Sequence, residues 1–490
     1  MRDRAARLEL VTWILALLVG AWLRVPTETW LTHWDEGAYV AGPQHLGPFA
    51  RDEPLAVYAP PLLPYALEGA RRVCGVDPGR AIAVVAAFGV AAIVAAGWLA
   101  RSLRGRAAGM FAVWCMALSP LSIAYSRMAL TDVPFTAFLL AALAALVLAE
   151  RRRSVGFAVL GGVFAGCGML TKYHGFLTMG GLGIAVLVCG LTWKRAASRE
   201  LAARRVRLAV AAGLAFAPFF VAAVWFVAHD MGFDAFRATR ATWTVGLHPW
   251  TVRQAVTFFA ETVWTFDLPV VAATAVGGAL LLLRRRRATT VLATAAVLAA
   301  ILIAYRNYTR LFVPAIGLTI VFAACAVPSL LKRVAPRRRR MALLAAIVVA
   351  IVPSRTSPFA AARFASDAYA TMARRVETEL AASDGVAVLV GQYALVPYLT
   401  RATATRVIAI NEPEGRRRIT SGECAWIVFD EDPSRRPEVE AAWRVLAPRA
   451  QLVFSLKNPL PPVIEFDRTR GKPLSDFDRE LRLYRIAPNH

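Results

Sequence analysis

The chain has 490 residues, 57% hydrophobic and 18% charged, with a mean hydropathy of +0.49. That apolar excess is more than one water-exposed fold can bury, so a soluble enzyme of this length is excluded. A net charge of +24 would suit a nucleic-acid partner. The basic residues, however, stand in short clusters between apolar runs rather than along one polar face, and they read as membrane-topology signals. Six widely spaced cysteines, four of them inside apolar runs, show neither a CxxC metal site nor a disulfide framework, and the redox compartment stays undetermined.

A membrane-crossing helix needs about 20 mostly apolar residues, because its backbone polar groups must all pair internally. Eleven runs qualify as candidates: 8–23, 81–100, 107–124, 133–149, 155–171, 175–193, 208–228, 268–283, 288–305, 311–331 and 341–352. The first is read as a retained span rather than a cleaved leader, since Trp22, Leu23, Arg24, Val25 and Pro26 offer no small-x-small cleavage site. The last is the shortest and is expected to extend beyond Pro353 or to rely on arginine snorkelling.

Lys and Arg are retained on the cytoplasmic side of a membrane. One set of alternate connections holds 25 of them, whereas the short connections of the other set hold only Arg127, Lys172, Arg306 and Arg310. The N-terminus is therefore expected on the cytoplasmic side of the cell membrane, with the sparse set outside. The expected organisation is a transmembrane domain over 1–353, with an outside loop at 25–80 and an interfacial loop at 229–267. A soluble α/β domain over 354–490 follows, expected on the extracytoplasmic side if the last run crosses and in the cytoplasm if it does not. In the middle loop, Trp243, Trp250, Phe258, Phe259 and Trp264 mix with Arg237, Arg240 and Arg253, a composition suited to helices at the headgroup level. In the tail, 361–382 has helical spacing, 438–446 is helical, and 386–390, 406–410, 425–429 and 451–455 read as strands.

The residues able to carry chemistry lie on the sparse side. His33, Trp34, Asp35, Glu36, Gly37, Ala38 and Tyr39 follow the first run, and an acidic pair there offers a general base or a metal ligand. Acids are also favoured at a helix start by its dipole. Tyr58 to Tyr65, with Pro60, Pro61 and Pro64 between them, form a stiff turn whose tyrosines are candidates for lining a substrate groove. Arg127 and Asp132 flank the next outside connection, at a depth where a charge without a use is costly. Thr131 and Asp132 are also candidate caps of the fourth span, with Pro134 in its first turn. Lys172 sits in the short hairpin Thr171, Lys172, Tyr173, His174, placed to meet a lipid phosphate or to snorkel. A lone histidine such as His174 is more often structural than chemical. Arg310, in Tyr308, Thr309, Arg310, Leu311, is a further cation at an outer mouth.

This ordered set resembles the polytopic glycosyltransferases of GT-C fold that use polyprenyl-phosphate sugars, among them the protein O-mannosyltransferases and the lipid A aminoarabinose transferase. The resemblance rests on Asp35 and Glu36, the turn at Pro60 and Pro61, the Arg127 to Asp132 connection, Thr171 and Lys172, and Arg310. It covers about two thirds of the chain and leaves the tail without an assigned motif. It implies an α-helical polytopic membrane protein of about 11 transmembrane helices with a C-terminal extracytoplasmic α/β domain. It also implies a polyprenyl-phosphate sugar donor and a glycan, lipid or protein acceptor. In the roles it implies, Asp35 is the base, Lys172, Arg310 and Arg127 bind the donor phosphate, and Asp132 and Glu36 orient the cations or the sugar. Tyr39, Tyr58, Tyr65 and His174 would line the substrate groove. A divalent metal at Asp35 and Glu36 stays open. The competing readings are a lipid-linked-sugar flippase, which should show repeats or charges at the bilayer midplane, and a non-catalytic scaffold, which has no need of acids and cations on several outside connections.

Overall fold

In this computed structural model the described residues are 2–25, 31, 36–37, 39–40, 60–74, 78–175, 179–181, 183–184, 196–228, 233–234, 237, 241, 244–283, 288–364, 366–383, 385–391, 394–410, 413–435, 437–470 and 473–487. The chain opens with the 23-residue helix α1 (Arg2–Arg24), the short α2 (Leu62–Cys74) and the 27-residue α3 (Pro78–Arg104). The apolar run at 107–124, expected as one span, is instead two helices, α4 (Arg106–Ala117) and α5 (Pro120–Ser126), bent by 56°. Pro120 disfavours helical backbone at the residue before it, and Ser119 is accordingly extended (ψ 113) and caps α5 by accepting the Ser122 N–H.

The break leaves the last carbonyls of α4 without helical partners inside a buried region. Arg24, fully buried at the end of α1, supplies them. Its guanidinium donates to Ala117 O at 2.9 Å, Met116 O at 2.9 Å and Ser122 Oγ at 2.9 Å, and also to Gly20 O at 3.0 Å.

The chain continues through α6 (Asp132–Arg152), α7 (Val155–Thr171), α8 (Ala196–Phe226), α9 (Pro249–Phe266), α10 (Pro269–Leu283), α11 (Thr289–Ala304), α12 (Val313–Leu331) and α13 (Arg339–Ile351). Among the described residues five helices are long and apolar enough to cross a membrane, or six if the bent pair is one span. Helices α7, α10 and α11 are apolar but shorter. Most of the expected run at 175–193 lies outside the described residues. Helix α6 is the central pillar, with 89% of its apolar window buried against 22% for α1 and α8, whose apolar faces look outward. Two glycines let neighbouring backbones touch. A Cβ on Gly162 would lie 2.1 Å from Ala212 O on α8, and one on Gly278 would lie 1.6 Å from Phe322 O on α12.

The tail folds from α14 (Pro358–Arg363), α15 (Ala368–Ala381), β1 (Ala387–Val390), β2 (Val407–Ala409), α16 (Pro413–Ser421), β3 (Trp426–Phe429), α17 (Pro437–Leu446), β4 (Ala450–Lys457), α18 (Pro462–Thr469) and β5 (Glu480–Ile486). The helical spacing read over 361–382 resolves into two helices, α14 and α15, interrupted near Phe364. The sheet order is β2-β1-β3-β5-β4. Strands β2, β1 and β3 are parallel, and β5 pairs antiparallel with β3 and β4. Helix α15 covers one face through Met372, Val376 and Leu380, while Ile419, Val439 and Leu446 cover the other. Burial on both faces explains the unbroken apolar run Ala387, Val388, Leu389, Val390.

Candidate active site

The C-terminal unit docks on the end of the helices that carries the predicted site residues. Leu460, Val463 and Ile464 join the core formed by the apolar helices. Phe466 stacks on Phe258 at 5.5 Å, and Arg470 lies 4.0 Å over the Phe258 ring while pairing with Glu261. Closer to the hinge, Thr356 Oγ1 donates to Thr265 O at 2.6 Å and Ser354 Oγ to Asp267 O at 2.9 Å. From the other side, the Leu31 N–H donates to the Tyr398 hydroxyl at 2.6 Å.

Segment 125–132 is the hub on which the site converges. Asp132 is the first residue of α6 and 2% exposed, and its Oδ1 accepts from the Lys172 ammonium. The two side chains are 3% and 16% exposed. Lys172 reaches it because α7 ends at Thr171 and Lys172 itself is extended (φ −151, ψ 133), turning the chain into the single turn Tyr173–Gly175. Thr131 makes no side-chain cap at the start of α6, so the acid beside it serves the ion pair. Glu36 is fully buried, and its Oε2 accepts the Ala129 N–H at 2.7 Å. Arg127, 9% exposed, donates to Val25 O at 3.0 Å, tying the hub to the end of the first span.

On the far side of the hub the Tyr125 and Thr309 hydroxyls are 2.6 Å apart. Tyr125 is also within electrostatic reach of Asp132, Asp467 and Arg310. Arg310 lies over the Tyr308 ring at 5.8 Å, in the turn Thr309–Phe312 that opens α12. Glu36, Asp132 and Lys172 thus meet at one short connection, and the Tyr125–Thr309 contact brings Arg310, the next residue after Thr309, to the same end, although 274 residues separate Glu36 from Arg310. Tyr39 is buried in the main core, His174 packs edge-on against Tyr305 at 5.5 Å, and Tyr65 is 51% exposed on α2. Asp35 and Tyr58 lie outside the described residues. Among the described residues no three His, Cys, Asp or Glu side chains gather in a metal-binding set.

Two carboxylates that sequence reasoning missed belong to this end. Asp467 on α18 accepts the Thr309 N–H at 2.9 Å and the Thr309 hydroxyl at 2.6 Å, and burial raises it to about 6. Asp267, fully buried in the connection between α9 and α10, accepts from Ser119 Oγ at 2.8 Å, and burial raises it to about 7. A small cleft lined by Arg127, Met128, Phe266, Phe364 and Val463 opens between α5 and the C-terminal unit.

The architecture has close counterparts among solved structures. ArnT from Cupriavidus metallidurans in the apo state aligns with a TM-score of 0.63 at 14% identity, over 99% of this chain and all of that one. The same protein bound to undecaprenyl phosphate aligns at 0.60 and 15% identity, over 98% and 97% of the two chains. The apo oligosaccharyltransferase of Archaeoglobus fulgidus aligns at 0.60 and 14% identity, over 89% of this chain and 71% of that one. The chain has the GT-C fold. Within that GT-C frame, residues 57–233 match the family described as dolichyl-phosphate-mannose-protein mannosyltransferase. The matched stretch contains the hub, Lys172 and His174, and stops short of Glu36 and Arg310. A sequence search of characterised proteins finds no match.

Proposed function

We propose that this GT-C protein is an integral-membrane glycosyltransferase that moves a sugar from a polyprenyl-phosphate-linked donor to a hydroxyl or amine acceptor, with inversion, on the extracytoplasmic side. The observation that carries the reading is the meeting of Lys172, Asp132, Glu36 and Arg310 at segment 125–132. The C. metallidurans counterpart binds undecaprenyl phosphate, and an A. fulgidus structure of the same fold holds a dolichol-phosphate and an inhibitory peptide. Both lend support to a lipid-phosphate donor here.

In this mechanism the acceptor attacks the anomeric carbon as its bond to the phosphate oxygen breaks, and the acceptor proton passes to the Asp35 carboxylate. The leaving group departs as a phosphate, so it calls for positive charge rather than a protonating acid. Lys172 and Arg310 supply that charge as it grows. Asp132 accepts from the Lys172 ammonium, which orients that group at the mouth where the donor phosphate is proposed to bind. Glu36 holds the hub backbone through Ala129. The reading places the N-terminus in the cytoplasm and 354–490 outside, with 1–353 as the transferase body.

The test is mass spectrometry of glycans, glycolipids and glycoproteins from cells with the wild-type protein, without it, and with Asp35→Asn. One glycoconjugate class should lose a single sugar in the second and third cells while the variant protein stays at wild-type abundance. Identical profiles from all three would refute the proposal.

A further inference from the structure

We infer that Asp467 is a positioning residue by which the C-terminal unit sets the placement of Arg310 and Tyr125. The inference rests on reading this mouth as the donor-phosphate site. Asp467 grips both hydrogen-bonding groups of one residue: its Oδ1 takes the Thr309 N–H at 2.9 Å and its Oδ2 the Thr309 hydroxyl at 2.6 Å. Thr309 is fully buried, and its hydroxyl also stands 3.1 Å from Val463 O on the same helix as Asp467. Clamping the backbone at Thr309 fixes where the next residue, Arg310, leaves the chain.

Proton counting gives the network a direction. The Thr309 hydroxyl has one proton, and the carboxylate oxygen is the stronger acceptor. Tyr125 therefore donates to Thr309, Thr309 donates to Asp467, and the chain ends on a negative charge. Protonating Asp467 at Oδ2 turns that oxygen into a donor and reverses the order, which frees the Thr309 proton to turn toward Val463 O or Tyr125. Three groups face the carboxylate from the surrounding elements: Arg310 on the turn before α12, Arg470 at the end of α18 and Tyr125 on α5. Asp132 stands beyond Tyr125. Arg470 is itself held by Glu261 and Phe258. With Asp467 raised to about 6 by burial, the reversal falls in mildly acidic conditions.

The experiment is equilibrium binding of undecaprenyl phosphate to the full-length protein in nanodiscs from pH 5 to 8, with unfolding midpoints as a check on folding. The lipid's own ionisation affects every protein equally, so the difference between curves is what counts. Wild type and Asp467→Asn should differ in affinity by about tenfold at pH 7, about one pKa unit of coupling, and converge by pH 5. Asp467→Asn should bind at the acid-limit affinity of wild type throughout. Thr309→Val keeps the N–H clamp but removes the hydroxyl between Tyr125 and Asp467, so its pH 7 affinity should move toward that of Asp467→Asn, and Thr309→Ser should restore the wild-type curve. Superimposable curves for wild type and Asp467→Asn would overturn the positioning role while leaving the donor site in place. Wild type that binds no undecaprenyl phosphate at any pH would overturn the donor-site reading and this inference with it.

Discussion

Neutralising the two charges at the heart of the site, singly and together, separates architecture from chemistry. The Lys172 ammonium and the Asp132 carboxylate are in direct contact with little side-chain exposure. At an effective dielectric near 20, unit charges ~4 Å apart attract by about 4 kcal/mol. Removing one partner of a buried pair costs about 3–5 kcal/mol because the survivor is stranded, whereas replacing both is often close to neutral. Lys172→Met and Asp132→Asn should each lower the unfolding midpoint in detergent, and the double variant should recover most of the loss. Binding of undecaprenyl phosphate should not recover: it should fall by at least about tenfold in Lys172→Met and in the double variant alike, since a charge-assisted contact to phosphate is gone in both. A double variant that binds the lipid as wild type does would show the pair to be purely architectural. A double variant as unstable as the sum of the singles would show that the two side chains are not coupled.

Further outcomes follow from other parts of the structure. Arg24→Met should leave the end carbonyls of α4 buried without donors, at ~1–3 kcal/mol per unsatisfied group, and Arg24→Lys should restore only part of the loss because an ammonium lacks the fork; abundance in membranes and unfolding midpoints measure both. Asp267 has a folded pKa of about 7, above its unfolded value, so protonation stabilises the fold at low pH and that contribution is lost as pH rises through about 7. Asp267→Asn should accordingly flatten the dependence of the unfolding midpoint on pH between 5 and 8, and an unchanged slope would assign the dependence to another group. Gly278→Leu should force α10 from α12, since even a Cβ meets Phe322 O at 1.6 Å, and should sharply reduce folded yield; a normal yield would contradict the close packing.

Much of this architecture can be read directly from the sequence, because a bilayer demands long apolar runs and basic clusters mark one side of it. The charged residues on the sparse side could be grouped for the same reason: topology alone puts Glu36, Asp132, Lys172 and Arg310 at one end. The bend inside 107–124 escaped hydropathy, which registers apolarity and not backbone direction, although Pro120 marked it. The role of Arg24 escaped too, since a terminal arginine reads as a topology signal until the broken helix it serves is seen. Strand β5 was missed because its alternation is short and Arg485 breaks it on the face that carries the buried Leu481 and Leu483. Asp467 stands 158 residues from Thr309, in a stretch with no motif, and only the docking of α18 makes it part of the site.

The most direct test of the central claim is to incubate the purified full-length protein in vesicles with lipid-linked sugars and acceptors extracted from its own cells, and to follow the polyprenyl lipids by mass spectrometry. The account predicts time-dependent appearance of unsubstituted polyprenyl phosphate, matched by gain of one sugar on an acceptor, and loss of both with Arg310→Met or Asp35→Asn. Lipid-linked sugar that stays intact with wild-type protein, or is consumed equally by those variants, would contradict it.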